Sequence, residues 1–319
     1  MKLNLLTRED LGNPETYVTV SPSQMAMWYR CRYAWKLSKI DGVGQENYRE
    51  SGAANKGLIF HAFMDWLHKH CIGRPISRLS PSGQMKALEH VQLTYGADAD
   101  FYKVFTIFLA YVDWAAENEE GVPIASEIEA FANTGLVTRD GRKIFLHGFI
   151  DLLMDVFGKL ILIDHKSHTN QPWTKSRLFY DHQFMFYWLL LELQGVQVDG
   201  AYVNAVNLFI PADEKKFDMR LVGIGSKNIR PRFERIPLGP HEVNLQFYLD
   251  EFLRNIKQMW CDEAVYPMRL SSDCQYCTFR DHIELDATGN ESASIATLKV
   301  RHNTKDFELI DDTDELEAS

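Results

Sequence analysis

Asp151 closes the run Gly148-Phe149-Ile150-Asp151, and Asp164 and Lys166 end the run Leu160-Ile161-Leu162-Ile163-Asp164-His165-Lys166, with Phe157-Gly158-Lys159 between them. Both runs are apolar and β-rich, so they read as the arms of a hairpin. With Gly158-Lys159 as a two-residue turn, Phe157 pairs with Leu160, Asp151 falls opposite Lys166, and Asp164 lies diagonally across. Strand side chains alternate, so Asp164 and Lys166 share a face, and in this register Asp151 joins them. Two carboxylates set in apolar strands repel each other and are costly to desolvate; a divalent cation between them resolves both problems. Oxygen ligands favour Mg²⁺ or Mn²⁺. Such an ion polarises a phosphoryl oxygen, and a nearby ammonium orients or helps deprotonate the attacking water, which is the chemistry of phosphodiester hydrolysis. The same three residues also fit a plain salt-bridged hairpin in which Lys166 neutralises two acids.

Other residue types with chemical use are spread along the chain. His61 belongs to an amphipathic run with Phe60, Phe63 and Leu67, where a histidine is more often structural than a ligand. Gln183 and Tyr187 are helical neighbours four residues apart, suited to a phosphate or to the lysine, or else the polar edge of a core helix carrying Phe184, Phe186 and Trp188. Glu127 and Glu129 flank Ile128 in a strand and point to one side, so either could add a metal ligand, with Glu127 preferred; solvated strand acids are the commoner explanation. Cys274-x-x-Cys277 has metal-ligand spacing, whereas Cys71 stands apart and reads as a structural thiol.

These side chains need elements to hold them. Ser21-Pro22-Ser23 predicts a helix start, with an amphipathic run to about Ser38. Further helices are expected over roughly 54–70, 82–95 and 101–119, so the first 120 or so residues read as a helical layer. The pattern then turns to alternation over 124–131, 143–157 and 160–166. A helix after Pro172 running through Gln183 to Leu193 follows, then a strand over 200–209, another around Arg220, and a helix from Pro240 to Trp260. That order predicts an α/β fold with a mixed central sheet flanked by helices. The expected divisions are a helical region with Cys31 and His61 (1–123), a core (124–260), a cysteine segment (261–290) and an acidic tail (291–319).

The 319 residues are 45% hydrophobic and 24% charged, which excludes wholesale disorder. No run approaches a bilayer span and the opening residues lack a signal-like apolar core, so a cytoplasmic protein without membrane attachment is expected. An odd count of five cysteines fits a reducing compartment. The net charge of −10 gives no global footprint for a polyanion, but ten acids and three bases lie from Glu284 onward, leaving about −3 on the rest. A local basic groove is compatible with that balance. Lys36, Lys39, Lys56, Lys175 and Arg177 lie near site-bearing segments and could follow a nucleic-acid backbone.

Gly148-x-x-Asp151 followed by Asp164-x-Lys166 resembles the core motif of the PD-(D/E)XK nuclease superfamily, and of its RecB-like branch in particular. Gly57-x-x-x-His61, Gln183-x-x-x-Tyr187 and Cys274-x-x-Cys277 resemble further motifs of that branch, in the same order, so the likeness spans roughly residues 20–290. It is nearest to CRISPR-associated exonuclease-like proteins encoded by phages. The resemblance implies a restriction-endonuclease-like fold, metal ligation by Asp151, Asp164, His61 and Glu127, a catalytic Lys166 supported by Gln183 and Tyr187, and DNA as substrate, cut to leave a 5′-phosphate. It also implies that Cys31, Cys274 and Cys277 hold a [4Fe–4S] cluster with a fourth cysteine, but Ile283 stands where that residue is usual, so His282 or Cys261 would have to substitute. Three thiolates and a histidine equally suit Zn²⁺, and loss of the metal is the third option.

The expected function is therefore a metal-dependent DNA exonuclease in phage recombination, replication or processing, working alongside recombination or replication proteins. The alternative is a catalytically dispensable nuclease-like module that binds DNA or a partner, for example to interfere with CRISPR adaptation. A glycoside hydrolase built on paired acids explains neither Lys166 nor the terminal cysteines.

Overall fold

The structure, a computed structural model, describes residues 5–45, 52–96, 98–169, 172–211, 218–223, 229–262 and 298–300, together with Tyr266 and Phe279. The chain opens with one turn, α1 (Arg8–Leu11), and a strand, β1 (Tyr17–Val20). Two short helices follow, α2 (Pro22–Arg30) and α3 (Arg32–Lys39), then β2 (Val43–Gln45) and three longer helices, α4 (Gly52–Cys71), α5 (Pro81–Tyr95) and α6 (Ala99–Asn118). Long strands β3 (Val122–Val137), β4 (Lys143–Val156) and β5 (Lys159–His168) come next, then α7 (Lys175–Leu178), α8 (His182–Glu192) and β6 (Gly200–Asn207). The remainder is β7 (Leu221–Gly223), β8 (Ile229–Pro231), β9 (Phe233–Leu238), α9 (Leu245–Trp260) and β10 (Leu298–Val300), the last paired with β2.

Helix starts follow local chemistry. Ser21, Ser80, Asp98, Asp181 and Asn244 each accept a backbone N–H from the first turn of their helix, and Pro22 and Pro81 occupy first-turn positions where no N–H is needed. The helix expected to run on to Ser38 breaks at Cys31, which is extended (φ −158°), and the new direction sets Trp35 edge-on to Trp28 at 5.2 Å. The helix expected from Pro172 to Leu193 breaks likewise, because the Asp181 carboxylate takes the Phe184 N–H and caps α8 afresh.

Six strands form one mixed sheet: β3 pairs with one side of β4, while β1 and then β5 pair in turn along its other side, followed by β6 and β9. The β1–β4 and β5–β6 pairs are parallel and the others antiparallel. Two strands of this sheet escape the sequence reading. Tyr17–Val20 lies in a stretch that otherwise reads as helical. Phe233–Leu238 carries Pro237, which argues against a strand, yet β9 is an edge strand and tolerates a missing donor. The strand expected near Arg220 instead forms a separate ribbon, β7 with β8.

Both faces of the sheet are covered. On one, Trp28, Phe184, Trp188 and Phe252 from α2, α8 and α9 pack on Ile150, Leu162 and Val203. On the other, Phe60, Phe63, Val91, Phe101 and Phe108 from α4, α5 and α6 pack with Val206 and Phe233. Helix α8 is apolar on every side from Phe184 to Leu191 because it is enclosed on every side. This is the mixed α/β sheet between helical layers that the order of elements implies.

The β4–β5 turn lies one residue earlier than the sequence suggests. Val156 pairs with Lys159, so Phe157-Gly158 is the turn, with φ of +54° and +80°, and the Asp155 carboxylate accepts the Gly158 N–H at 2.6 Å. Pairing partners therefore shift by two: Asp151 comes opposite Asp164 rather than Lys166. A shift of two preserves which side chains share a face.

Candidate active site

The β4–β5 ladder ends at Leu152–Ile163, while β5 stays paired with β6 as far as His168. Beyond that point the two strands part, and the amino end of α2 fills the notch, its Pro22 beside Gly148. Asp151 stands where they separate, and its Oδ2 accepts the His165 N–H at 2.8 Å, a donor that the lost ladder would otherwise leave unpaired.

Register carries the row of acids across a third strand. Ser126 pairs with Leu152 and Ile128 with Ile150, which sets Glu127 opposite Asp151. Glu127 has φ +46°, a left-handed conformation that is costly for a side chain with a Cβ. Strand β4 changes its facing here as well: Ile144, Leu146, Ile150 and Leu153 enter one core cluster, and Leu152 and Met154 another. The strained residue sits at this break. Glu129 does not share its fate, for it binds Arg8 at 2.7 Å and His147 at 3.0 Å instead.

Helix α4 brings the imidazole. A Cβ on Gly57 would lie 3.0 Å from Ser167 Oγ, so the helix start approaches β5 as closely as glycine permits, and His61 follows one turn on. Its Nδ1 is 3.8 Å from Asp151 Oδ2. His61, Glu127 and Asp151 each offer a ligand atom, and these atoms lie within 4.8 Å of one another. Asp164 is not one of that set; its buried Oδ2 is paired with Lys166 Nζ at 3.0 Å.

From the other helical layer, α8 supports the amine. Lys166 Nζ donates to Gln183 Oε1 at 2.7 Å, and Gln183 Nε2 donates to Tyr187 OH at 2.8 Å. A Cβ on Gly148 would sit 2.8 Å from the Tyr187 ring, which accounts for the glycine of the GxxD run. Trp173, absent from the sequence reading, lies with its ring centre 5.8 Å from Lys166 Nζ; nothing in its local sequence signals that place. His68 and His165 are also buried nearby, their rings stacked 5.0 Å apart.

Burial dominates the electrostatics. Desolvation, then the charges of Asp151 and Asp65, push Glu127 up to about 7, and desolvation also raises Asp151 and Asp164 above the usual carboxylate range. Burial works against the Lys166 ammonium, but Asp164, Asp181 and Asp151 outweigh it and hold the amine above its ordinary value. Desolvation lowers His61, so its imidazole is held neutral, the form that ligates metal. Two carboxylates and a neutral imidazole within reach of one point fit a hard divalent cation.

Cys31 is half-buried between α2 and α3, and Phe279, two residues beyond Cys277 in sequence, packs with Ala34 and Leu37 against it. Cys274, Cys277, His282 and Ile283 lie outside the described residues. Cys261 donates its thiol to Val137 O at 3.0 Å. Of the basic residues expected along a nucleic acid, Lys36 pairs with Asp41, Lys56 with Asp100 and Lys175 with Glu242, burial lowers Lys39, and Arg177 stacks on Trp173.

A sheet opened at one ladder, with acids from three strands and an amine braced by a helix, is a framework suited to metal-dependent phosphoryl chemistry. The chain belongs to the PD-(D/E)XK nuclease superfamily, whose family model matches residues 19–282. A solved structure from Eubacterium rectale, described provisionally as an exonuclease, is similar at 13% identity with a TM-score of 0.48, over 89% of this chain and 98% of that one. The protein SSO0001 is similar at 13% identity with a TM-score of 0.29, over 69% of this chain and 82% of that one. No curated protein matches the chain. Among the described residues, no helix is long and apolar enough to cross a membrane.

Proposed function

We propose that the protein is a Mg²⁺- or Mn²⁺-dependent DNA exonuclease of the RecB-like branch, working on DNA ends in phage recombination, replication or processing. The observation that carries this reading is the meeting of His61, Glu127 and Asp151 within 4.8 Å, beside the Lys166–Gln183 pair. Those three residues, with Asp164, would hold the cation, which supplies charge to polarise the phosphoryl oxygen. Lys166 enters as an ammonium, donating to the attacking water and offsetting charge on the phosphate. Gln183, itself anchored by Tyr187, fixes the direction of that ammonium. Hydrolysis forms one P–O bond from water and breaks the bond to the 3′ oxygen, leaving a 5′-phosphate and a 3′-hydroxyl. Cys31 with Cys274 and Cys277 would form a second metal site, [4Fe–4S] or Zn²⁺, and the packing of Phe279 beside Cys31 supports it.

The test is digestion of end-labelled linear and closed circular DNA, single- and double-stranded, by wild type, Asp164→Ala and Lys166→Ala with Mg²⁺ or Mn²⁺. Mononucleotide release from linear DNA by wild type alone is expected. Equal activity in all three proteins would overturn the proposal, and DNA binding without any cleavage would favour a nuclease-like binding module instead. Elemental analysis and a visible spectrum of anaerobically purified protein test the cysteine site.

A further inference from the structure

Two acceptors hold the Lys166 ammonium: Asp164 Oδ2, two residues back on the same strand, at 3.0 Å, and Gln183 Oε1 on α8 at 2.7 Å. Lysine hangs on a flexible four-carbon stem, and two bonds leave its nitrogen free to swing about the line between the acceptors. A third side is closed by a ring. Lys166 Nζ lies over the indole of Trp173, 5.8 Å from a ring centre. That separation is within the range over which a ring face attracts a cation, yet too long for an N–H to be bonded to the ring. The ring therefore restrains the charge without consuming the third ammonium hydrogen.

Trp173 is 9% exposed and belongs to the core cluster that contains Leu178 and Phe184. Its Nε1 is buried and has no hydrogen-bond partner among the described residues, so no polar contact accounts for an indole at this place. An N–H buried in that way carries a cost that phenylalanine or leucine would not incur. What the indole adds is its face, the best among aromatic side chains for a cation. Arg177, from α7, stacks on the same indole with its guanidinium carbon 3.9 Å from a ring centre, which restrains the plane of the ring.

We propose that Trp173 is a positioning residue of the candidate site: its ring face fixes the Lys166 ammonium on the side that Asp164 and Gln183 leave open, and so turns the third N–H toward the attacking water. In this role the indole touches neither substrate nor metal. The kinetic consequence rests on the nuclease reading of the centre, whereas the placement of the amine rests on the contact alone.

The experiment compares the full-length wild type with Trp173→Phe, with Trp173→Leu, and with chains carrying mono-, di- or trifluorotryptophan at position 173 alone, introduced by stop-codon suppression. Fluorine withdraws electron density from the ring face while nearly keeping its shape, so a role in packing alone would not respond to it. These chains also test the role whether or not Trp173→Leu folds. Digestion of end-labelled linear DNA with Mn²⁺ should show kcat falling with each added fluorine, by about fivefold across the series, and by about tenfold in Trp173→Leu. Trp173→Phe, which keeps a ring, should lie between wild type and Trp173→Leu. KM and the Mn²⁺ concentration that gives half the maximal rate should stay as in wild type. A second arm observes the amine directly, by NMR of protein with carbon-13 in its lysine side chains. The Lys166 ε-methylene signal, identified by its loss in Lys166→Arg, should be shifted by the ring current in wild type and should lose that shift in Trp173→Leu. A flat fluorine series in an active enzyme, a rise in KM in place of the fall in kcat, or a Lys166 signal indifferent to Trp173→Leu would overturn the role. A ring-shifted signal in a wild type that cleaves no DNA would sink the nuclease reading and leave the hold of the ring on the amine standing.

Discussion

Glu119 and Asp164 are buried acids of one molecule, and the fold treats them in opposite ways. Glu119, just past the end of α6, has its Oε1 within reach of three partners: Tyr111 OH at 2.6 Å, Asn204 Nδ2 at 3.2 Å and Arg235 Nη2 at 2.6 Å. Arg235 Nε also donates to Asn204 Oδ1 at 3.0 Å, so α6, β6 and β9 are tied through one oxygen. In the row across β3, β4 and β5 the acids are starved by comparison. Asp164 has only the Lys166 ammonium, Asp151 takes one backbone N–H and stands 3.8 Å from His61, and Glu127 makes no hydrogen bond or ion pair among the described residues. Carboxylates buried with so few partners destabilise a fold unless something else completes them. The molecule gathers three partners on one oxygen of Glu119, whose Oε2 has none, and gathers no comparable set at the candidate site.

The contrast breaks most visibly on stability. Glu119→Ala leaves the Arg235 guanidinium uncompensated and should lower the unfolding free energy by about 3–5 kcal/mol, read by denaturant titration. Glu127→Gln should instead raise the melting temperature of the metal-free protein at pH 8 while abolishing cleavage. Equal losses in the two variants would mean that both acids are merely structural.

The supporting residues give the next effect. Lys166→Ala should lower kcat by about 10²–10³-fold, as for loss of a preorganised donor, without unfolding the protein. Gln183→Ala should cost about tenfold in kcat with KM little changed, a loss on the order of one hydrogen bond to a charged group. If Gln183→Ala changed KM alone, Gln183 would contact substrate rather than orient the lysine.

Metal and pH sharpen the same difference. The folded state holds Glu127 near 7 against an ordinary value of 4.5, so it binds more protons than the unfolded chain between those values. The stability that this protonation contributes is complete below about pH 4.5 and is lost as pH rises through about 7. A divalent ion should restore it, by about 2.7 kcal/mol at a hundred times its Kd, with a larger thermal shift from MnCl₂ at pH 8 than at pH 5.5. Equal shifts at the two pH values would remove Glu127 from the ligand set.

Much of this was legible in the residues. The runs ending at Asp151 and Lys166 are so strongly β-forming that the hairpin follows from alternation, and Gly57, Gly148 and the Gln183–Tyr187 spacing each correspond to a close approach or a shared helix face. What was hidden depends on long-range packing. Whether Glu127 or Glu129 joins Asp151 is settled by a left-handed residue in mid-strand and by Arg8, more than a hundred residues away, which binds the other acid. Trp173 comes to β5 on a loop without period, and Phe233–Leu238 is masked by a proline that only an edge strand accepts.

The smallest effect concerns backbone strain, which again divides a structural place from a functional one. Among the described residues, Glu127 and Phe157 are the two non-glycine residues with positive φ, one at the row of acids and the other exposed at the β4–β5 turn. Asn accepts this conformation more readily than Phe, so Phe157→Asn should stabilise the protein by about 0.5–1 kcal/mol and leave cleavage unchanged. If the turn were Gly158-Lys159, Phe157 would be a strand residue and the same change would destabilise, so the sign of the shift in denaturation midpoint decides the register and, through it, whether Asp151 faces Asp164 or Lys166. Glu127→Gly should relieve comparable strain while removing cleavage and metal binding together. A stabilised but inactive Glu127→Gly beside a stabilised and active Phe157→Asn would assign the strain at Glu127 to the aiming of a ligand; a Glu127→Gly that still bound Mn²⁺ would show that the left-handed residue serves only the bend of β3.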